Sequence, residues 1–125
     1  MAVTPNDFHT FALATGESDD EVTVRTAISR SYYAAHHVAK AIAANLPMVV
    51  FQGKPGSHEQ VIQTLTKQMN SYPKAAQLRA FGYVLAQMKG NRCDADYELG
   101  IDIDRNHFQT QVDDYDNFKV KLAAL

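Results

Sequence analysis

Two groups of residues in this chain have the types and spacing to do chemistry. The first is Arg92 with Asp96, four positions apart on a stripe whose other members, Leu78, Phe81, Leu85 and Met88, are apolar. Charge taken out of water is costly unless it is paired or put to use. The pair is therefore either a structural tie to a neighbouring helix or part of a site. The second group is Arg30, Tyr33, His37 and Lys40, spaced by three and four so that they share one helical face with Thr26. An ordinary exposed face offers water a mixture of Glu, Lys and Gln, whereas this one offers cations and aromatic rings. Such a face can receive phosphate and stack a base, or it can be a solvated surface or a subunit seam.

Other chemistries find less support. Adjacent helical side chains diverge by about 100°, so His36 and His37 cannot ligate one metal, and neither has the partners a di-metal bundle site needs. No metal centre and no cofactor is expected. His9, His58 and His107 fall near predicted helix starts and read as surface residues. Cys93, the single cysteine, reads as a small helix-packing residue, because nothing in the sequence pairs it with a base. There is no nucleophile elbow, phosphate loop or dinucleotide fingerprint, and Gly53-Lys54-Pro55-Gly56 resembles a phosphate loop in composition only.

The elements that must position these residues are helical. Thr4-Pro5 caps and opens a first short helix that Gly16 stops, and Ser18-Asp19-Asp20-Glu21 reads as a capping box for a long second one. On that second helix Val24, Ile28, Ser31, Ala35, Val38 and Ile42 form an apolar stripe. Its many alanines favour helix and let other backbones come close, so it is expected to be covered on more than one side. The helix ends near Asn45, before Leu46-Pro47, and Met48 to Gly56 is a loop. Ser57 to Gln60 reads as a further capping box, opening a third helix with Val61, Ile62, Leu65 and Met69 inward.

Pro73 stands near the start of a fourth helix, which either kinks or restarts at Gly90; if it persists, Arg92, Ala95, Asp96 and Leu99 share its inward face. After a short connector over Leu99–Ile103, Asp104 caps a last helix carrying Phe108, Val112, Tyr115, Phe118 and Leu122. The expectation is an all-α, up-and-down bundle of four to five helices forming a single domain over residues 1–125. A hydrophobic fraction of 46%, a charged fraction of 21% and a net charge of −2 suit a globular chain with no global pull toward polyanions, so any polyanion must meet a local patch. One cysteine, no signal-peptide pattern and no apolar run of membrane-spanning length lead to the expectation of a cytoplasmic protein.

Two segments together resemble the HEPN domains (higher eukaryotes and prokaryotes nucleotide-binding). SRSYYAAHHVAKA, with Arg30, Tyr32-Tyr33-Ala34 and His37, looks like the second-helix signature of the small bacterial and archaeal branch. Arg92-Cys93-Asp94-Ala95-Asp96-Tyr97 matches that branch's Arg-x-x-Ala-Asp-Tyr motif. The resemblance spans nearly the whole chain. It implies a helical bundle that dimerises and places its polar motifs in a cleft between subunits. Many such domains are metal-independent RNases, often toxins neutralised by a small nucleotidyltransferase-like partner. In them an arginine stabilises the phosphorane and a histidine a short way on moves protons at the 2′-hydroxyl.

Here Tyr97 stands where that histidine would be, and an ordinary tyrosine pKa of about 10 makes a poor base at neutral pH. Three alternatives follow. In the enzyme version Arg92 holds the phosphate, Asp96 orients Arg92, and Tyr97 or His37 shuttles the proton. Alternatively the domain binds RNA or nucleotide through Arg30, Tyr33 and Lys40 without cutting. In the third, Arg92, Asp96 and Tyr97 belong to the skeleton of the fold, and the Arg30/Tyr33/His37 face is a seam for a second copy or a partner chain.

Overall fold

In the computed structural model, which describes residues 2–125, the long central helix runs from Glu21 to Ala43 (α2). Its cap is Asp20, whose carboxylate accepts from the Thr23 N–H at 3.3 Å and the Thr23 hydroxyl at 2.6 Å. The expected Ser18–Glu21 box does not form. Ser18 accepts instead from the Asp20 N–H at 3.0 Å, and the Glu21 carboxylate leaves the helix end for the Ile103 N–H at 2.9 Å and Arg25 Nε at 3.4 Å. As expected, α2 is covered on several sides: Val24, Ile28, Ser31 and Ala35 are buried, and so are Ala27, Tyr32, Ala34 and Ala39 on other faces.

The other four helices pack on α2 or on one another: Pro5–Thr15 (α1), Ser57–Thr66 (α3), Ala75–Tyr97 (α4) and Arg105–Ala123 (α5). The described residues contain no strand, and the chain is an all-α bundle. Helix α1 starts as read, with Pro5 in its first position and the Asp7 carboxylate accepting the Thr4 N–H at 2.7 Å. Asp104 caps α5, accepting from Asn106 and His107 N–H groups at 2.9 and 3.4 Å. The box read at Ser57 is corrected: Gly56 is the cap, and Glu59 turns away to Lys89 Nζ at 3.1 Å. Helix α3 stops at Thr66, which leaves Met69, expected inward, 74% exposed.

Helix α4 passes through Gly90 without interruption. Met88, Arg92 and Ala95 are buried on either side of it, and the adjoining turn is held by Asn91 Nδ2 donating to Gln111 Oε1 at 2.7 Å and Gln111 Nε2 donating to the Met88 carbonyl at 3.2 Å. Leu99, beyond the helix end, is 77% exposed rather than on the inward stripe. One core cluster joins Tyr32, Leu65, Phe81, Leu85, Met88 and Phe118; a second joins Ala12, Val24, Ile28, Ala95, Ile103 and Phe108. Cys93 is a half-buried free thiol. His9 corrects its reading as a surface residue. It is buried, with Nδ1 2.9 Å from the Ser31 hydroxyl and its ring stacked on Tyr115 at 3.8 Å.

The two glycines of α4 are expected to respond oppositely to alanine. At Gly82 a Cβ would sit 2.8 Å from both Leu65 Cβ and Thr66 Cγ2, so α3 must move away. Gly82→Ala should destabilise by about 1–3 kcal/mol. Gly90 is exposed with nothing within 4 Å of a Cβ, and Gly90→Ala should stabilise by about 0.5–1 kcal/mol. Denaturant titration of the two variants checks both signs.

Candidate functional site

The two segments far apart in sequence that carry the cations meet at one place. Arg92, from the last turns of α4, is only 7% exposed and lies against the YY pair of α2, with Cζ 5.2 Å from the Tyr32 ring centre and 5.6 Å from that of Tyr33. The third ring around it, Tyr97 at 5.8 Å, belongs to its own helix, and Arg92 Nη1 donates to the Tyr97 hydroxyl at 3.4 Å. Asp96 completes the pairing expected from its spacing, 3.6 Å from Nη1, and accepts from the Ser29 hydroxyl at 3.1 Å. The i, i+4 register of α4 thus turns Asp96 onto a guanidinium whose Nε is buried with no protein partner, and Tyr97, the last residue of the helix, reaches the same Nη1.

Tyr33 is the hub. Within 6.4 Å of its half-buried ring centre lie the guanidiniums of Arg30 (4.6 Å) and Arg92 (5.6 Å) and the imidazoles of His58 (5.6 Å), His36 (6.2 Å) and His37 (6.4 Å). Arg30 also lies 6.0 Å from the Phe8 ring of α1, which stacks on His37 at 5.5 Å. No carboxylate among the described residues comes within ion-pair distance of Arg30. Lys40, expected in the same group, is exposed and makes no ion pair; it acts on the cluster only through its field.

His58 corrects its surface reading. Half-buried at the start of α3, it accepts the Tyr32 phenol on Nδ1 at 2.7 Å and stacks on His36 at 4.1 Å. Burial pushes the Tyr32 phenol well above its ordinary pKa, against the pull of Arg92, so the hydroxyl keeps its proton and donates. That assigns His58 the tautomer with its proton on Nε2. The His58 pKa is itself lowered, by burial first and then by the charges of Arg92 and Lys89. His36 is 6% exposed with its Nδ1 lacking a protein partner. Burial, then His58, His37, Lys40 and Arg92, bring its pKa down to about 4. The site therefore holds permanent cations beside two imidazoles, those of His36 and His58, whose protonation burial and those cations disfavour.

The folded protein holds His36 neutral while the unfolded chain takes up a proton near the ordinary value of 6.5. The associated stabilisation is complete above pH 6.5 and is lost as pH falls toward about 4, on the order of 3 kcal/mol in all. Wild type should lose stability over that window relative to His36→Gln, in denaturant titrations at stepped pH.

Larger surface hollows lie elsewhere, one of about 670 Å³ being lined by Met48, Val50, Met69 and Tyr72. Among the described residues no group of three or more His, Cys, Asp or Glu is placed to hold a metal ion, and no helix is long and apolar enough to cross a membrane. Comparison of the chain with protein-family models, with curated proteins and with solved structures gives no match.

Proposed function

We propose that the Tyr33-centred cluster is the working site of an RNA-handling domain of the HEPN kind, which cleaves single-stranded RNA without a metal. One observation carries the reading: two guanidiniums and three imidazoles surround one tyrosine ring, with Asp96 the single carboxylate paired to either guanidinium among the described residues. Cations beside aromatic faces suit a phosphodiester with its bases. The meeting of the YYA helix with the Arg92–Tyr97 motif adds support, because these are the segments on which the resemblance rests.

On this reading Arg92 and Arg30 receive the phosphate oxygens and Asp96 orients Arg92. His37 or Tyr97, both exposed, moves the proton between the 2′-hydroxyl and the leaving oxygen. The resemblance further implies a homodimer in a toxin–antitoxin or defence setting with a small nucleotidyltransferase-like partner, and the single cysteine suits a cytoplasmic location. A non-catalytic binding module is the second reading. It is favoured by the near-complete burial of Arg92 and by a tyrosine in the motif's last position.

Labelled single-stranded RNA incubated with excess chelator tests the proposal. Wild type should cut, and His37→Ala or Tyr97→Phe should slow cutting about 100-fold or more. Both side chains are exposed, so such losses do not report on folding. RNA bound but uncut would favour the binding module, and RNA neither bound nor cut would remove both readings.

A further inference from the structure

Of the three imidazoles around Tyr33, His58 alone has its proton placed by a hydrogen bond within the protein. Tyr32 donates to its Nδ1 at 2.7 Å, and the ring lies flat on His36 at 4.1 Å and edge-on to Tyr33 at 5.6 Å. With Nδ1 taken as an acceptor, the neutral ring carries its proton on Nε2. Among the described residues, the buried polar side-chain atoms without a protein partner are His36 Nδ1 and Arg92 Nε. Nε2 of His58 also has no protein partner but is not one of these, so it is open to water. The ring therefore offers an N–H and no free lone pair. It is built to donate to an oxygen anion, not to take the proton of a 2′-hydroxyl. The strongest charges acting on it are those of Arg92, Lys89, His37 and Lys40, all of which disfavour its own protonation. Asp96 and Glu59 keep their negative charge beside Arg92 and Lys89, at 3.6 and 3.1 Å, without reversing that balance.

We infer that His58 is a phosphate-binding residue: its neutral Nε2–H donates to a phosphate oxygen of single-stranded RNA, and Tyr32 is the positioning residue that fixes the tautomer. The inference rests on the RNA reading above and adds to it a donor from a third helix. Arg30 of α2, His58 of α3 and Arg92 of α4 all lie within 5.6 Å of the Tyr33 ring centre, so one phosphodiester can meet side chains from three helices. Surroundings that repel a proton from the ring are those that favour an anion beside it. The roles then divide by chemistry. His37 or Tyr97 moves the proton, whereas His58 holds the phosphate and does so without a charge of its own. Its contribution must therefore persist at a pH where imidazoles are no longer protonated.

The test is fluorescence anisotropy of a labelled 2′-fluoro oligouridylate, which has no 2′-hydroxyl to react, with full-length wild type and His58→Phe at about pH 6 and about pH 8. Phenylalanine keeps a ring to stack on His36 and removes the donor. At the higher pH His58→Phe should weaken binding about tenfold or more. Equal affinities there, or a loss confined to the lower pH, would overturn the inference and leave the RNA reading standing. No binding by wild type at either pH would overturn the RNA reading, and the inference with it. Long-range proton–nitrogen correlation of the wild-type imidazoles gives a second readout that needs no variant. It should show His58 protonated on Nε2 at the higher pH, with that nitrogen shifting as the oligouridylate is added. A proton on Nδ1, or an Nε2 that stays in place while the strand binds, would overturn the inference.

Discussion

Arg25→Ala is expected to cost about 3–5 kcal/mol, a fall in melting temperature of about 10–20 °C, which is the largest stability effect of any single substitution considered. Arg25 is 7% exposed, and its guanidinium ties off the end of α4. Nη1 donates to the carbonyls of Ala95 at 3.0 Å and of Asp94 and Glu98 at 3.3 Å, Nη2 donates to that of Ile101, and Nε faces Glu21 at 3.4 Å. The Ala95 carbonyl is one that the helix leaves unsatisfied at its C-terminus, where the dipole also favours a cation, whereas the carbonyls of Asp94 and Glu98 accept in addition the N–H groups of Glu98 and Ile101 at 3.1 and 3.2 Å. Alanine would strand the buried Ala95 carbonyl, release the loop carbonyl of Ile101, and leave Glu21 with the Ile103 N–H alone. The consequence reaches function, because the turn that Arg25 holds carries Asp96 and Tyr97. Hydrogen exchange should show the amides of residues 94–101 losing protection before the rest of α4.

Arg92→Met is expected to abolish RNA handling, by about 100-fold or more, while keeping stability within about 1 kcal/mol of wild type; Arg92→Ala should lose both. The difference lies in what the side chain does in each role. The side chain is buried with its guanidinium among the rings of Tyr32, Tyr33 and Tyr97, and deleting its volume from that position costs about 2–4 kcal/mol. Its charge adds little to the fold: the ion pair with Asp96 is 3.6 Å long, the Tyr97 contact is 3.4 Å, and Nε has no protein partner. Methionine replaces the stem and removes both the charge and the buried orphan donor. Comparable losses of stability in Arg92→Met and Arg92→Ala would make the cation a structural post. Thermal melts of the two variants, run beside RNA cleavage, separate the roles.

Much of this geometry is legible in the sequence, and the failures have physical reasons. The long helix, its alanine-lined faces and the cap at Asp104 follow from spacing and end chemistry, both local properties. Arg30, Tyr33 and His37 are legible for the same reason, since one helix fixes their common face. His58 is not, although a signal exists: it precedes Val61, Ile62 and Leu65 by three, four and seven residues and so extends the apolar stripe of α3. His9 stands in the same relation to Ala12, which is buried. Proximity to a helix start suggested exposure for both, and the stripe was the better guide. Arg25 lies three residues before Ile28 and seven before Tyr32, but its partners are backbone carbonyls, which no residue type advertises. Gly90 left α4 open to a kink because glycine is a weak helix former. Burial of Met88, Arg92 and Ala95 around it outweighs that local preference.

Whether the Tyr33 cluster receives RNA can be read from the imidazole resonances of the five histidines during titration with single-stranded RNA. His36, His37 and His58 surround Tyr33, whereas His9 is buried against Tyr115 and His107 caps α5 with Asp104, so the last two serve as internal controls. RNA bound at Tyr33 should give saturable shifts of His36, His37 and His58 with His9 and His107 unmoved. Shifts confined to His107, or none at RNA concentrations that saturate known single-strand binders, would contradict binding there.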